Sequence, residues 1–141
     1  MDNTGNSNPE REQYIRQFDA GQYIKQLRGD RSLASVCKLL KVSPAHLSEI
    51  ERGKMPSDHL ISALARVYEV DENDLFRRWG KVPILAKEEV ANNVTLQNTL
   101  AEIARNTKLT DDEKNDLYDN IYQTYRRFIE RLTDKKEGRG Q

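Results

Sequence analysis

Ser32-Leu-Ala-Ser-Val-Cys-Lys-Leu-Leu-Lys-Val-Ser-Pro-Ala-His-Leu-Ser-Glu-Ile-Glu-Arg-Gly-Lys54 is the stretch that decides the fold of this 141-residue chain. Leu33, Val36, Leu39 and Leu40 recur at helical spacing and predict one buried face of a short helix. Lys41-Val42-Ser43 is a polar break with Val42 as its one apolar residue. Ser43 suits an N-cap, and Pro44 suits the first helical position, where its missing N–H is no loss. Leu47 and Ile50 then bury a second short helix and leave Ala45, His46, Ser48, Glu49 and Arg52 facing out. Gly53 ends it.

Two short helices joined by so tight a break make a helix-turn-helix unit, whose second helix can enter the major groove of DNA. The residues on either side carry a family resemblance. Tyr23-Ile24-Lys25-Gln26-Leu27-Arg28 precedes the unit, and Ile61, Leu64, Ala65, Val67, Tyr68, Val70 and Leu75-Phe76 follow it. With Ser32-Leu33, Val42-Ser43 and Leu47-Ser48-Glu49-Ile50-Glu51-Arg52-Gly53-Lys54, the segment from about Gly21 to Lys81 resembles the Cro/repressor-type (XRE family) helix-turn-helix proteins. That resemblance implies an all-α, five-helix domain and a bacterial or phage DNA-binding transcription regulator, a repressor acting on an operator. The segment departs from the family pattern at Leu33, where relatives often carry a glutamine, and at Lys41, where a glycine is usual. The resemblance then implies either that Lys41 takes a positive φ with some strain or that the turn differs.

By the same resemblance, Pro44, Ala45, His46, Ser48 and Glu49 are the base-reading positions. Pro44 and Ala45 can offer only apolar contact, best suited to a thymine methyl, whereas Glu49 can accept from a cytosine amino group. His46 can donate or accept. Arg31, Ser32, Lys41, Ser43, Arg52 and Lys54 are the expected phosphate contacts, two of them hydroxyls at helix N-termini and four of them cations. Glu51 is expected to pair with Arg28 as scaffold.

Charge gives this reading partial support. The whole chain is neutral, with 23 basic and 23 acidic side chains, so it is no generic polyanion binder. Between Tyr23 and Lys54, however, seven basic residues face three acidic ones, and a local basic excess is the electrostatic footprint of phosphate binding. A protein-interaction module that kept the fold and lost the DNA is the alternative, and Leu33, Glu49 and the zero net charge lean toward it.

Other chemistries find little purchase. His46 and His59 fall on different predicted helices with no carboxylate or cysteine at ligand spacing, so neither a metal site nor a catalytic constellation is expected. No glycine-rich phosphate loop or nucleophile elbow is present, and no cofactor is implied. Cys37 is the only cysteine, which rules out an intrachain disulfide; its place beside the apolar stripe predicts a packed thiol. No apolar run is long enough for a membrane span, and the expected location is cytoplasmic.

Outward from the unit, residues 1–10 are polar and expected to be disordered. The DNA-binding domain is expected over 11–82, with Gly21 marking a turn before its first helix proper. Ser57 and Asp71 are caps for a fourth and fifth helix, and Leu75, Phe76 and Trp79 cover the core. A C-terminal helical region is expected over 83–134. It comprises a helix between Ala86 and Arg105, interrupted at Asn92-Asn93, and a long helix opened by the capping box Thr110-Asp-Asp-Glu113. Residues 135–141 are expected to be a loose tail. On the long helix, Leu117, Tyr118, Ile121, Tyr122, Tyr125, Phe128, Ile129 and Leu132 form an apolar stripe. Steps of four and three through Tyr118, Tyr122, Tyr125, Ile129 and Leu132 give a coiled-coil-like seam. The expected occupant is a second copy of the chain, because a homodimer doubles the base pairs read on a palindromic operator; a regulatory protein or peptide docking on these helices would control pairing.

Overall fold

The computed structural model describes residues 8–139, and every regular element among them is helical. In order these are α1 (Pro9–Arg28), α2 (Leu33–Leu40), α3 (Pro44–Glu51), α4 (Asp58–Tyr68), α5 (Glu72–Arg78), α6 (Ile84–Ala91), α7 (Val94–Arg105) and α8 (Asp111–Arg139). Compact packing divides the chain into two units, the first ending at Glu89 and the second beginning at Val90. The fold is all-α, as expected, with five helices around one core; three helices, α6 to α8, follow where an extension of two was expected.

The first unit is built on short helices whose ends are set by side chains. Ser32, Ser43, Ser57 and Asp71 each accept a hydrogen bond from the backbone N–H three residues on, at 3.0–3.2 Å. Each bond satisfies one of the donors that a helix start leaves open, a contribution of about 1 kcal/mol per cap. The buried side chains form one cluster. Ile24 of α1, Val36 of α2, Leu47 and Ile50 of α3, Ile61 and Leu64 of α4, and Leu75 and Phe76 of α5 are fully enclosed, with Trp79 closing the core. Cys37 is buried in the same cluster, and that burial pushes its thiol pKa up, so it is a packed thiol.

Four expectations change here. Leu39 is not part of the buried face of α2; it is 64% exposed, and Cys37 takes its place beside Val36 and Leu40. Positions 33, 36, 37 and 40 follow the i, i+3, i+4, i+7 stripe, and Leu39 lies off it. Gly21 marks no turn: α1 runs through it without a break. The helix also begins earlier than expected, because Asn8 caps it by accepting from Glu10 and Arg11 N–H groups and Pro9 occupies the first position. The disorder expected for the N-terminus therefore does not hold for 8–10, and 1–7 lie outside the described residues. At the other end, α8 continues to Arg139 rather than loosening after 134; residues 140–141 are not described.

Asp58 ties the end of the first unit down. Its carboxylate meets Lys81 at 2.7 Å and Lys87 at 2.8 Å, and those two ammonium groups hold its pKa down at about 2. Lys81 also donates to the Pro56 carbonyl at 3.0 Å. These bonds carry the compact unit past the expected edge at 82 and into α6.

In the second unit, Asn93 caps α7 and separates it from α6, the interruption expected at Asn92-Asn93. Thr110 and Glu113 form the reciprocal capping box at the start of α8: Thr110 N–H donates to Glu113 at 3.0 Å, and Glu113 N–H donates to the Thr110 hydroxyl at 3.1 Å. Lys114 reaches the Ala104 carbonyl near the end of α7 at 3.1 Å.

Candidate nucleic-acid interface

α3 is clamped on one side only. Leu47 and Ile50 are fully buried, and Glu51 is 5% exposed. The Glu51 carboxylate receives two bonds from Arg28 of α1, from Nε at 2.7 Å and Nη2 at 3.0 Å, a two-point grip that a lysine could not reproduce. The hydrogen bond to Glu51 holds the Arg28 pKa above its ordinary value. Arg28 Nη1 also donates to the Arg31 carbonyl at 2.7 Å, and Gln22 Nε2 donates to the Glu51 carbonyl at 3.3 Å. Gly21 lets the two backbones approach: a Cβ built on it would stand 2.6 Å from the Ile50 carbonyl oxygen and 2.7 Å from that of Glu51. Thus α1 fixes both the height and the tilt of α3.

The side of α3 away from this clamp is open. Pro44 and Ala45 are exposed at its first turn, and His46, Ser48 and Glu49 are half-buried. The structure therefore brings all five expected base-reading residues onto one eight-residue helix, with Ser43 capping it through the His46 N–H. Two of the five are already engaged within the chain. Ser48 accepts from Arg52 Nη1 at 2.8 Å, and Glu49 pairs with Lys54 at 2.9 Å. The bond from Lys54 holds the Glu49 pKa below its usual range. The first pair was legible as i, i+4 neighbours on a helix; the second spans five residues across the turn at Gly53, where helical spacing gives no guide.

The expected phosphate contacts fall into two groups. Ser32, Lys41 and Ser43 are exposed along the two helix starts and the turn between α2 and α3. Lys41 makes no ion pair among the described residues, and its backbone takes the left-handed conformation, one of the two outcomes expected for it, φ 59° and ψ 43°. The N–H groups of Lys41 and Val42 both donate to the Cys37 carbonyl, which closes α2 in that conformation. Arg31, by contrast, faces back to α1: it donates to the Leu27 and Arg28 carbonyls at 3.2 and 3.4 Å, and its guanidinium lies 5.3 Å from the centre of the Tyr68 ring. Arg52 and Lys54 are exposed and hold Ser48 and Glu49 as described.

The turn offers a direct check. Replacing Lys41 by glycine is expected to raise unfolding stability by about 0.5–1 kcal/mol, because glycine takes a positive φ without steric cost. Urea unfolding of the variant reads that change. If Lys41 also neutralises a phosphate, the same variant flattens the slope of log affinity against log salt by about 0.9.

Among the described residues no group of three or more His, Cys, Asp or Glu side chains could hold a metal ion, and no helix is long and apolar enough to cross a membrane. No curated protein and no solved structure matches the chain. A family model described as "Helix-turn-helix domain" matches residues 19–77, which takes in the second half of α1 and all of α2 to α4, and reaches α5. The capped pair α2–α3, joined by a left-handed turn and clamped from behind by α1, is what that match covers, and residues 19–77 of this chain are a helix-turn-helix domain of the Cro-like type.

Proposed function

We propose that the protein is a sequence-specific transcription regulator, a repressor, that binds a palindromic operator as a homodimer and reads bases with α3. The observation that carries this reading is the one-sided clamp: Leu47, Ile50 and Glu51 are enclosed, and the opposite side of the same short helix stands open. Pro44 and Ala45 at the exposed first turn would meet the base edges, with His46, Ser48 and Glu49 alongside. Ser32, Ser43 and Lys41 would meet phosphates, and the open N–H groups at the starts of α2 and α3 favour the same anions. Arg52 and Lys54 would join them by exchanging their side-chain partners for phosphate oxygens. Arg31 supports the domain from behind and is the weakest member of the expected set.

The intrachain pairs on Ser48 and Glu49 favour a second reading, in which the domain has become a protein-interaction module. In that case Lys54 is already paired with Glu49, Arg52 is held by the Ser48 hydroxyl, and no duplex is bound. Salt separates the two: a DNA reader loses affinity steeply as salt rises, with a log–log slope of about −0.9 per phosphate neutralised.

The test of the reading face is Ala45→Gln combined with Glu49→Ala. Both replacements are good helix formers, and neither position is enclosed in the core. Against an operator selected from random duplexes, binding should fall by roughly 10-fold or more, since each good base contact contributes about 1–3 kcal/mol. The melting temperature should stay within about 2 °C. Unchanged operator affinity would remove α3 as the reader.

A further inference from the structure

α8 is 29 residues long, and its apolar side chains stand in the open: Tyr118 and Ile129 are 38% exposed, and Ile121, Tyr122, Tyr125 and Phe128 about half. Six such residues on one side of one helix need a cover. We propose that the cover is α8 of a second copy of the chain, running antiparallel, with the two-fold axis passing between positions 123 and 124. This deepens the homodimer in the function proposed above and rests on that reading for its use on DNA.

Charge along the helix sets the direction. Residues 111–120 carry five acidic side chains and one lysine, whereas 121–138 carry five basic and three acidic. A parallel pair places the acidic halves together; an antiparallel pair places each against the basic half of the other.

The flanks of the seam give the same answer independently. Tyr118, Tyr122, Tyr125, Ile129 and Leu132 alternate as core positions of a heptad pattern. One flank then holds Asp112, Asp119, Arg126 and Thr133, and the other holds Lys114, Ile121, Phe128 and Lys135. In a parallel pair each flank meets the opposite one, which sets Arg126 against the partner's Ile121 and Phe128 against the partner's Thr133. In an antiparallel pair each flank meets its own kind. Asp119 then lies beside the partner's Arg126, and Ile121 beside the partner's Phe128, each contact made twice. The parallel pair also sets Lys114 beside the partner's Asp119, and the antiparallel pair sets Lys114 beside the partner's Lys135 toward its ends, but only the antiparallel pair brings Ile121 and Phe128 together at the centre of the seam.

The core fits this register. Tyr118 packs opposite the partner's Ile129, and Tyr122 opposite the partner's Tyr125. Tyr122 and Tyr125 lie side by side within one chain, ring centres 6.3 Å apart and tilted 41°. The opening turns of α8 are held to α7 through Lys114, and Leu117, off the seam, is half-buried. At 1.5 Å per residue the two starts of α8 stand roughly 38 Å apart along the pair.

Disulfide trapping tests the register in the full chain, with the buried Cys37 left in place. Under mild oxidation, a mixture of Tyr118→Cys and Ile129→Cys chains is expected to form the mixed covalent dimer, while Leu132→Cys alone and the unaltered chain stay uncrosslinked. Sedimentation of the unaltered chain is expected to give a dimer. Asp119→Arg should weaken it roughly fivefold to tenfold, the scale of two exposed ion pairs lost and replaced by like charges, and adding Arg126→Asp should restore it. A monomer at tens of micromolar, or self-crosslinking of Leu132→Cys, overturns the proposal. Duplex binding is measured on the same samples. A dimer with the trapped register that binds no duplex supports this pairing and sinks the DNA reading, whereas a monomer that binds duplex at low salt does the reverse.

Discussion

Gly21→Ala is expected to lower the melting temperature by roughly 10 °C, a loss of about 2 kcal/mol for a domain of this size. Helix propensity alone predicts the opposite sign, since alanine in a helix interior is favoured over glycine by about 1 kcal/mol. The packing decides against it. Gly21 is buried within α1, and the new methyl would meet the Ile50 and Glu51 carbonyl oxygens at 2.6 and 2.7 Å and the Glu51 carbonyl carbon at 2.9 Å. These are backbone atoms of α3, so no side-chain rotation relieves the clash; α1 and α3 must move apart. Separation would also loosen Ile24, Leu47 and Ile50, all fully buried around the same contact. Operator affinity should fall along with stability, because α3 is the proposed reader. Thermal unfolding by circular dichroism reads the sign directly, and a raised melting temperature would show that α1 and α3 do not touch at Gly21.

That glycine also shows where the sequence stops being legible. The helix-turn-helix unit could be read residue by residue, because its signals are local: Ser43-Pro44 starts a helix, Leu47 and Ile50 bury it, and Thr110 with Glu113 opens another. The positive φ of Lys41 was one of the two readings that the family resemblance left, since relatives usually carry a glycine there. Gly21 was misread as a turn because a glycine in a helical pattern has two meanings, a break or a close approach, and only the neighbour distant in sequence tells them apart. Leu39 was assigned to the core for a related reason: two adjacent leucines both fit a helical period within one residue, and the packing of α2 selects Leu40. The early start of α1 was hidden by the polar residues around it, since Asn8 and Pro9 make a good cap and first turn but little apolar surface follows until Tyr14. For the interface, the exposed positions on α3 and the Ser48–Arg52 pair at i, i+4 were readable, whereas the partner that Glu49 takes depends on how Lys54 folds back past Gly53.

Breaking the enclosed Arg28–Glu51 pair should give a large loss of stability, and one that depends on which partner is removed. Arg28→Met leaves the Glu51 carboxylate enclosed with no countercharge, and stranding one member of a buried pair costs about 3–5 kcal/mol. The lower end, about 3 kcal/mol, applies here because the Arg28 side chain is 15% exposed and Glu51 7%, so water softens the cost. The same substitution removes the bond from Arg28 to the Arg31 carbonyl, which helps close the link between α1 and α2. Removing both charges is a different experiment. Arg28→Met with Glu51→Leu replaces the pair by apolar side chains of similar length, a swap that is often neutral or stabilising. The double variant should therefore recover to within about 1 kcal/mol of the original stability, and the double-mutant cycle should show a coupling of roughly 2 kcal/mol or more between the two sites. Urea unfolding of the four proteins supplies every number. Additive losses would mean that the two side chains act separately and that the grip of α1 on α3 rests on Gly21 and the apolar contacts alone. A coupled result would make the ion pair the part of the clamp that fixes the tilt of α3. In that case the double variant, though stable, should bind the operator more weakly than the original, since an apolar contact has no preferred direction and a two-point Arg–carboxylate bond does.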